Sequence, residues 1–102
     1  SMAYRIEVSP AAARQLKKID RRVFPQIAEK IDSLAGDPRP HGCEKLSGYD
    51  NLYRVRVGSY RIVYGVEDRL VVVVVLKAGN RADIYQRIRE SDLDFLRSLI
   101  SK

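Results

Sequence analysis

A group of arginines and one tyrosine are the residues of this sequence with the clearest chemical potential. Arg54, Arg56 and Arg61 occur in two short segments in which polar and apolar residues alternate. The guanidinium group is a permanently charged fork of donors that matches the oxygens of a phosphate. The phenol of Tyr85 can serve as a base when nearby cations favour its phenolate form. Together these residue types indicate chemistry on a phosphate group.

A two-stranded hairpin is the element that would position the arginines. Leu52–Val57 and residues 60–66 both alternate with the period of two that is typical of a β-strand. Only two residues separate these segments, and Gly58, the first of the two, can supply the positive φ of a type II′ turn. The sequence therefore predicts an antiparallel β-hairpin.

The register of this hairpin predicts a face that carries three arginines. A two-residue loop places Arg56 opposite Arg61, and alternation places Arg54 on the same face. Like charges in such positions destabilise a hairpin, and no acidic residue lies between residues 52 and 66. Two explanations stay open: carboxylates from elsewhere in the chain answer the arginines, or an external phosphate neutralises them. The side chains expected on the opposite, helix-packed face are Tyr53, Val55, Val57, Ile62 and Tyr64.

A second basic segment follows the next predicted strand. Residues 70–76 include five consecutive valines, which favour a central strand covered on both faces. The strand ends at Lys77, and the segment after it carries Arg81 and Tyr85. We expect this segment to turn away from the strand and to bring Arg81 and Tyr85 towards the polar face of the hairpin.

Helices are expected around these strands. Residues 4–8 form a short first strand, after which Ser9 caps a helix that has Pro10 in its first turn. Apolar residues at helical spacing predict a second helix and a last helix, the latter capped by Ser91 followed by Asp92. The apolar stripes of the three helices are Ala13, Leu16 and Ile19; Phe24, Ile27, Ile31 and Leu34; and Leu93, Leu96, Leu99 and Ile100.

These elements predict an α+β fold. A short N-terminal strand and a three-stranded meander form an antiparallel sheet that packs against an N-terminal helical hairpin. A loop is expected from residue 41 to residue 50, and a short C-terminal helical tail over residues 90–102. The chain has 102 residues, about the size of one domain, so residues 1–102 are expected to form a single domain.

The composition favours a polyanionic partner and a reducing compartment. A formal net charge of +6 and an isoelectric point near 9.7 favour association with nucleic acid. Cys43 is the only cysteine, so no internal disulfide can form. We expect a cytoplasmic protein without a membrane span, because the sequence contains neither a secretory signal nor a run of roughly 20 apolar residues. Ser1 ahead of Met2 is expected to be a cloning remnant.

Four other residues are given structural roles in preference to chemical ones. His41 is interpreted as a solvated loop residue, and Cys43 as unreactive because no acid–base partner for it is visible. Tyr60 and Tyr64 are interpreted as core or rim aromatics in preference to platforms that stack on bases. One histidine and one cysteine do not supply the several ligands of a metal site, so no metal and no cofactor is expected.

Four segments occur in an order and spacing that point to a known family. They are residues 45–48 (KLSG), 52–56 (LYRVR), 60–64 (YRIVY) and 79–85 (GNRADIY). This series resembles the signatures of the RelE/ParE toxin superfamily, and the resemblance covers about residues 4–89. The last segment favours the RNA-cleaving RelE branch over the ParE branch, whose members inhibit DNA gyrase.

The resemblance implies roles for individual residues. Arg61 would be the arginine that grips the phosphate, Arg81 the basic residue after the last strand, and Tyr85 the tyrosine near the C-terminus. Arg54 and Arg56 occupy positions that are lysine in some members. Because an arginine effectively never loses its proton, this departure weakens a proton-transfer role there. The implied catalytic residues are Arg56, Arg61, Arg81 and Tyr85.

Further residues and partners follow from the same resemblance. Lys45, Arg54 and Lys77 are candidate RNA-binding residues, and Asn80 stands where many relatives carry histidine. The implied activity is cleavage of messenger RNA in the A site of the ribosome, silenced by a cognate antitoxin. Operator DNA would be bound only through the toxin–antitoxin complex. Two alternatives stay open: a ParE-like inhibitor of gyrase without nuclease activity, and a toxin that has lost its activity and persists as a binding module.

Overall fold

The strands of the chain form one sheet with helices on both faces. The computed structural model describes residues 3–80 and 88–101. The strands in these ranges are β1 (Arg5–Val8), β2 (Glu44–Lys45), β3 (Leu52–Val57), β4 (Tyr60–Glu67) and β5 (Val72–Asn80). They lie side by side in the order β1-β5-β4-β3-β2. β1 runs parallel to β5, and the other neighbouring pairs are antiparallel.

The helices of the described residues are α1 (Pro10–Leu16), α2 (Phe24–Ser33) and α3 (Glu90–Ile100). α1 begins after Ser9, whose hydroxyl oxygen accepts a hydrogen bond from the amide of Ala12 at 3.1 Å, as an N-cap side chain does. Pro10 occupies the first helical position, where its missing N–H leaves no bond unmade. None of these three helices has the length and apolar character needed to cross a bilayer.

β5 lies at the centre of the hydrophobic core. Val73 and Val75 pack towards α1 and α2, whereas Val72 and Val74 pack towards α3. All four valines are fully buried, and burial of such a side chain contributes roughly 1.5–3 kcal/mol. The valine run therefore stabilises both faces of the sheet, as predicted. The α1/α2 side of the core also contains Ala12, Ile27, Ile31, Leu34, Val55, Ile62 and Tyr64.

α3 packs on the opposite face of the sheet. Leu96 is buried against Leu52, and Gly65 of β4 lies beneath both. A β-carbon added at Gly65 would lie 3.3 Å from Leu52 Cδ2 and 3.5 Å from Leu96 Cδ1. The missing side chain at position 65 therefore allows α3 to approach the sheet closely. The other members of this cluster include Val72, Val74, Leu76, Leu93, Phe95 and Leu99.

The predicted fold class and hairpin are confirmed. Helices and a sheet form an α+β fold, and Arg56 lies opposite Arg61 in the predicted register. Gly58 has a φ of 59°, the positive value that a type II′ turn requires at its first position. Local pairing across a two-residue loop leaves little freedom of register, which explains why the sequence was sufficient here.

The sheet differs from the prediction in two respects. The N-terminal strand was expected in an antiparallel sheet, but β1 pairs in parallel with β5, with Arg5 opposite Val72. A parallel neighbour can be far away in the sequence, so no local pattern reveals it. The loop predicted for residues 41–50 contains β2, a two-residue strand that pairs with β3. A strand of two residues is too short to produce a periodic signal.

The turn between β4 and β5 also departs from the prediction. The strand expected from residue 70 begins at Val72 and continues to Asn80. Val71 has a φ of 54°, in a region that β-branched residues rarely adopt. Its amide donates a hydrogen bond to the carbonyl oxygen of Asp68 at 3.2 Å. The tight turn is thus closed at the expense of backbone strain at one residue.

The helical stripes were predicted correctly at most positions, but in α1 the buried residue is Ala12 in place of Ala13, and Ile19 lies beyond the end of this helix. Phe24 is 40% exposed and Ile100 is 46% exposed, whereas Phe95, which was not assigned to the stripe of α3, is partly buried against the cluster on this face of the sheet. The N-cap of α3 is Arg89, two residues before the predicted cap at Ser91. The reason is that the Oδ2 atom of Asp92, inside the first turn, accepts the hydrogen bond of the Arg89 amide at 3.0 Å.

Candidate functional site

Four basic side chains share one face of the sheet, which we call the arginine face: Arg54, Arg56, Arg61 and Lys77. Arg56 lies directly opposite Arg61. In the neighbouring row, Val63 of β4 pairs with Arg54 of β3 on one side and with Lys77 of β5 on the other. Because directly paired residues project to the same face, the fold gathers these four cations in two adjacent rows.

Arg61 is the most deeply placed arginine of this face. Its side chain and backbone together are only 7% exposed. The Nη1 atom donates hydrogen bonds to the carbonyl oxygens of Gly58 at 3.1 Å and Tyr60 at 3.0 Å. These bonds hold the guanidinium group against the turn that joins β3 to β4. No carboxylate among the described residues pairs with Arg61, so its positive charge is held in place without being neutralised.

Arg54 and Arg56 have different surroundings. The Nη2 atom of Arg54 forms an ion pair with Oε2 of Glu44 at 2.5 Å, and Glu44 lies opposite Arg54 in the β2–β3 pair. For Arg54, a carboxylate from elsewhere in the chain therefore neutralises the charge, which is the first of the two explanations left open by the sequence. Arg56 is exposed, and within residues 3–80 and 88–101 it has no ion-pair partner. The opposed pair Arg56 and Arg61 is thus the part of the face whose positive charge has no carboxylate partner among the described residues.

Lys77 connects the arginine face to the beginning of α3. It is only 5% exposed, and burial lowers the pKa of its ammonium group. The carboxylate of Asp92 acts in the opposite direction on this pKa, while the positive charge of Arg89 adds to the lowering. Asp92 is itself buried. A buried cation therefore lies between the arginine face and the first turn of the C-terminal helix.

The remaining candidate residues are Lys45, which lies outside this cluster, and two residues that the structure does not describe. Lys45 pairs with Tyr53 in the β2–β3 ladder, so it lies on the helix-packed face, opposite to the arginines. Arg81 and Tyr85 lie outside the described residues. The arginine face as described therefore contains phosphate-binding groups, and the candidate base belongs to the segment that follows β5.

The other residues weighed from the sequence have surroundings of different kinds. Tyr64 is fully buried, its hydroxyl donates to the carbonyl oxygen of Pro38 at 2.8 Å, and burial followed by the neighbouring Cys43 raises its pKa. Tyr60 is half-buried and His41 is exposed. In the part of the chain that the structure describes, no three histidine, cysteine or carboxylate side chains cluster as a metal site would require. Tyr64 is therefore a core residue.

Sequence reasoning missed the contribution of the C-terminal helix. α3 covers the apolar end of the arginine face through Leu96, and the sequence did not indicate that this helix lies on the same face as the arginines. The first turn of this helix also brings Asp92 close to Lys77. Glycine at position 65 was the available signal, because a glycine inside a strand often marks the close approach of another element.

Comparison with known sequences gives a consistent result. Residues 6–85 match the family described as the ParE toxin of the type II toxin–antitoxin system parDE. The chain is similar to the toxin RelG of Mycobacterium tuberculosis, with 30% identity over 87 residues that make up 84% of this chain and 100% of the relative. It is also similar to the mRNA interferase toxin RelE of Escherichia coli, with 33% identity over 82 residues, or 78% of this chain and 85% of the relative.

Solved structures with a similar fold come from the same kind of system. A chain of the intact Escherichia coli RelBE toxin–antitoxin complex matches with a TM-score of 0.69 and 31% identity, covering 76% of this chain and 96% of that chain. A chain of the archaeal RelE–RelB complex from Pyrococcus horikoshii matches with a TM-score of 0.69 and 29% identity, covering 78% and 97% respectively. The similarity therefore extends over most of the chain, in sequence as well as in fold.

Proposed function

The chain belongs to the RelE/ParE superfamily of toxins from type II toxin–antitoxin systems, and from this premise we propose that it is an endoribonuclease that cuts messenger RNA in the A site of the ribosome. The direct opposition of Arg56 and Arg61 carries the proposal. Two arginines facing each other without a carboxylate are destabilising until an anion joins them, and a phosphodiester fits their donors. The designation of the Escherichia coli relative as an mRNA interferase supports RNA as the source of that anion.

The proposed reaction is an internal transphosphorylation of the RNA. The 2′-oxygen attacks the adjacent phosphorus, the bond from phosphorus to the 5′-oxygen breaks, and the products are a 2′,3′-cyclic phosphate and a 5′-hydroxyl. The proton of the 2′-hydroxyl passes to Tyr85, whose phenolate the neighbouring arginines favour. Water or the ribosome supplies the proton that the 5′-oxygen takes up. The route itself needs neither a metal ion nor a cofactor.

The basic residues stabilise charge along this route. Arg56 and Arg61 hold the non-bridging phosphoryl oxygens, and Arg81 stabilises the leaving oxygen. The bonds from Arg61 to the turn carbonyls keep its guanidinium in place before the RNA arrives, which is the preorganisation that electrostatic catalysis requires. Arg54 and Lys77 bind the RNA on the same face, whereas Lys45 lies on the opposite face and is left out of this site. Loss of one such donor costs roughly 10²–10³ in rate.

A cognate antitoxin is the proposed protein partner. The solved RelBE and RelE–RelB structures contain an antitoxin together with the toxin, and we propose the same assembly for this chain. Operator DNA would be reached through that complex alone. The proposed location is the cytoplasm, where messenger RNA and ribosomes are available.

The test is a translation extract to which the purified protein is added, with the ends of the transcript mapped by primer extension. We expect new 5′ ends within codons, and we expect them to disappear with Arg61→Ala or with Tyr85→Phe. Arg22→Ala is the matched control, because it removes one positive charge from an exposed ion pair with Asp20. Circular dichroism of each variant verifies folding. Cleavage that persists in both Arg61→Ala and Tyr85→Phe would contradict the proposed site.

Gyrase inhibition is the alternative that this experiment must separate. The matched family carries the ParE name, whereas the similar toxins carry RelE and RelG names. Intact transcripts together with gyrase-linked breaks in supercoiled DNA would favour the ParE type of action. Intact transcripts and intact DNA would indicate a binding module that has lost its activity.

A further inference from the structure

A polar groove lies beside the arginine face, at the end of β5. It has a volume of about 600 Å³ and lies between α1 and the first turn of α3, and this size is within the roughly 300–1,000 Å³ range of small-ligand sites. Gly79 is part of its wall and is paired directly with Arg61 across the β4–β5 ladder. The groove is therefore continuous with the arginine face and one residue away from its most deeply placed arginine.

α1 is fixed against this end of β5 by side-chain hydrogen bonds. β1 pairs with β5 only as far as Val75. Beyond that point, the hydroxyl of Ser9 donates to the carbonyl oxygen of Leu76 at 3.3 Å, and Oε1 of Gln15 accepts from the amide of Ala78 at 2.9 Å. These bonds set the distance between α1 and β5. They also fix the wall of the groove that α1 forms.

The groove carries an excess of positive charge. Its described lining includes Arg14, Lys18, Lys77 and Arg89, and Asp92 is the acidic member. The carboxylate of Asp92 is already engaged by the amide of Arg89 and by the charge of Lys77. Arg14 lies in the last turn of α1, Lys18 follows the end of this helix, and both side chains are exposed. The groove therefore presents cations that can reach an anion.

The groove cations differ from many arginines elsewhere in the described part of the chain. Among the described residues, five arginines have carboxylate partners, and all five lie outside the groove. They are Arg5, Arg22, Arg39, Arg54 and Arg97. Neither Arg14 nor Arg89 belongs to an ion pair in the described part of the chain. In this respect Arg14 and Arg89 resemble Arg56 and Arg61 of the arginine face, and they differ from the five paired arginines.

The lining also contains groups that suit a nucleotide. Tyr60 packs in part against the core, as its assignment to the core or rim implies, but it is only half-buried and lines the hairpin end of the groove; an aromatic ring in such a position can stack on an unpaired base. Guanidinium and ammonium groups bind the backbone of a single strand through its phosphates. Cations and an aromatic ring side by side are the combination that single-stranded nucleic acid requires, whereas an acidic peptide would make no use of the ring.

We propose that this groove binds the RNA strand next to the cleaved linkage, with Arg14 and Lys18 on flanking phosphates and Tyr60 beneath a flanking base. The inference rests on the proposed function and extends it, because it gives the strand a path from the arginine face, past the end of β5, to α1. The groove then positions the scissile phosphate by holding its neighbour. The bound phosphates belong either to the messenger or to an exposed strand of the ribosome.

Binding of a short RNA tests the proposal directly. The probe is a fluorescent single-stranded 12-mer with 2′-O-methyl groups, which cannot be cleaved by attack of the 2′-oxygen, and the readout is anisotropy at several salt concentrations. Each phosphate contact on a single strand contributes roughly 0.7 to the slope of log K against log salt. For Arg14→Gln combined with Lys18→Gln we expect a slope smaller by about 1.4. The loss of affinity relative to the unchanged protein should therefore be about 25-fold greater at 0.1 M salt than at 1 M salt.

The matched control is Lys17→Gln combined with Arg21→Gln. Both residues lie in or just after α1 and line a different, mostly apolar groove, so the control removes the same charge from the same region. We expect its slope to stay close to that of the unchanged protein. Equal losses in the two double variants would mean that only the net charge matters, and this would overturn the proposal. A loss for the groove variant that is just as large with an RNA trimer would also overturn it.

A second arm identifies the source of the phosphates. Small ribosomal subunits, with and without a bound messenger, are sedimented with the unchanged protein and with the groove variant. A defect that appears only with messenger identifies the messenger, and a defect without messenger identifies ribosomal RNA; either result supports the groove. The proposal is overturned if the protein binds neither the 12-mer nor the subunits. It is also overturned if the groove variant is impaired in antitoxin binding but binds RNA as well as the unchanged protein does. If RNA binding follows the groove but no transcript is cut, the groove stands and the nuclease function falls.

Discussion

At the scale of single residues, Arg61 divides its donors between the protein and a prospective ligand. One terminal nitrogen donates to the carbonyl oxygens of Gly58 and Tyr60, and these bonds already order the side chain. The remaining guanidinium donors are therefore available to a ligand. Arg56, opposite, is exposed and must be ordered when a ligand binds. The two arginines of the pair are therefore not equivalent, although the sequence pattern makes them look alike.

This inequality predicts different effects of the same conservative change. Arg61→Lys should lower mRNA cleavage by roughly 10²–10³, because the three donors of an ammonium group share one nitrogen and cannot span the turn carbonyls and a phosphate as the separate nitrogens of a guanidinium do. Arg56→Lys should retain activity to within about tenfold, because an exposed ammonium group still supplies the charge. The measurement is the initial rate of cleavage by primer extension. Equal losses for the two variants would contradict the proposed division of donors.

At the scale of elements, local pairing was predictable and distant pairing was not. The alternation of residues 52–66 was enough to place Arg56 opposite Arg61, since a two-residue turn permits one register. The sequence left open that a carboxylate pairs with Arg54, but it did not identify Glu44, because β2 is too short to produce a pattern. The burial of Lys77 under the start of α3 likewise depends on how separate elements pack, and a single sequence does not reveal that.

The turn before β5 offers an element whose strain can be removed. Val71 has a φ of 54°, a conformation that costs a β-branched residue roughly 1–3 kcal/mol. Val71→Gly should therefore raise the free energy of unfolding by about 1 kcal/mol, after allowance for the greater freedom of glycine in the unfolded chain. Urea unfolding measures the change. Val72→Gly, in the buried strand next to it, should instead destabilise the fold, and stabilisation by both variants would refute the explanation.

The close packing of α3 on the sheet depends on the absence of a side chain at Gly65. In Gly65→Val the new carbon atoms would press on Leu52 and Leu96, which lie 3.3 Å and 3.5 Å from a β-carbon at this position. We expect faster amide hydrogen exchange throughout α3, with the β3–β4 hairpin still protected. Gly36→Ala is the control, because the nearest atom to a β-carbon there is 4.0 Å away. Unchanged exchange in α3 would show that the helix does not need this close approach.

At the scale of the whole molecule, a polar network joins segments that are distant in the sequence. Arg39 binds both carboxylate oxygens of Asp68, at 3.1 Å and 2.9 Å, and its Nε donates to the hydroxyl of Tyr53 at 2.9 Å. The hydroxyl of Tyr4 donates to the same carboxylate at 2.6 Å. The network thus ties the beginning of the chain, the loop before β2 and the turn between β4 and β5 to one another.

The carboxylate at the centre of this network predicts a pH dependence. Arg39, followed by Tyr4, lowers the pKa of Asp68 below its usual value. A lowered pKa contributes stability that is present above the unfolded value of about 3.9 and is lost as the pH falls through the folded one. Asp68→Asn should therefore cost up to about 1 kcal/mol at pH 7, given the exposure of the network. Urea unfolding at pH 7 and pH 2 should show the difference disappearing in acid, and a difference that is the same at both would contradict the argument.

The parallel pairing of β1 with β5 has a consequence for folding during synthesis. A nascent chain leaves the ribosome N-terminus first, so β1 must wait beside α1 and α2 until Val72 and its neighbours have emerged from the exit tunnel. Contacts between such distant segments form late and slowly. The sheet can therefore close only after residues 72–75 have left the ribosome, so folding of this domain must follow the synthesis of its central strand.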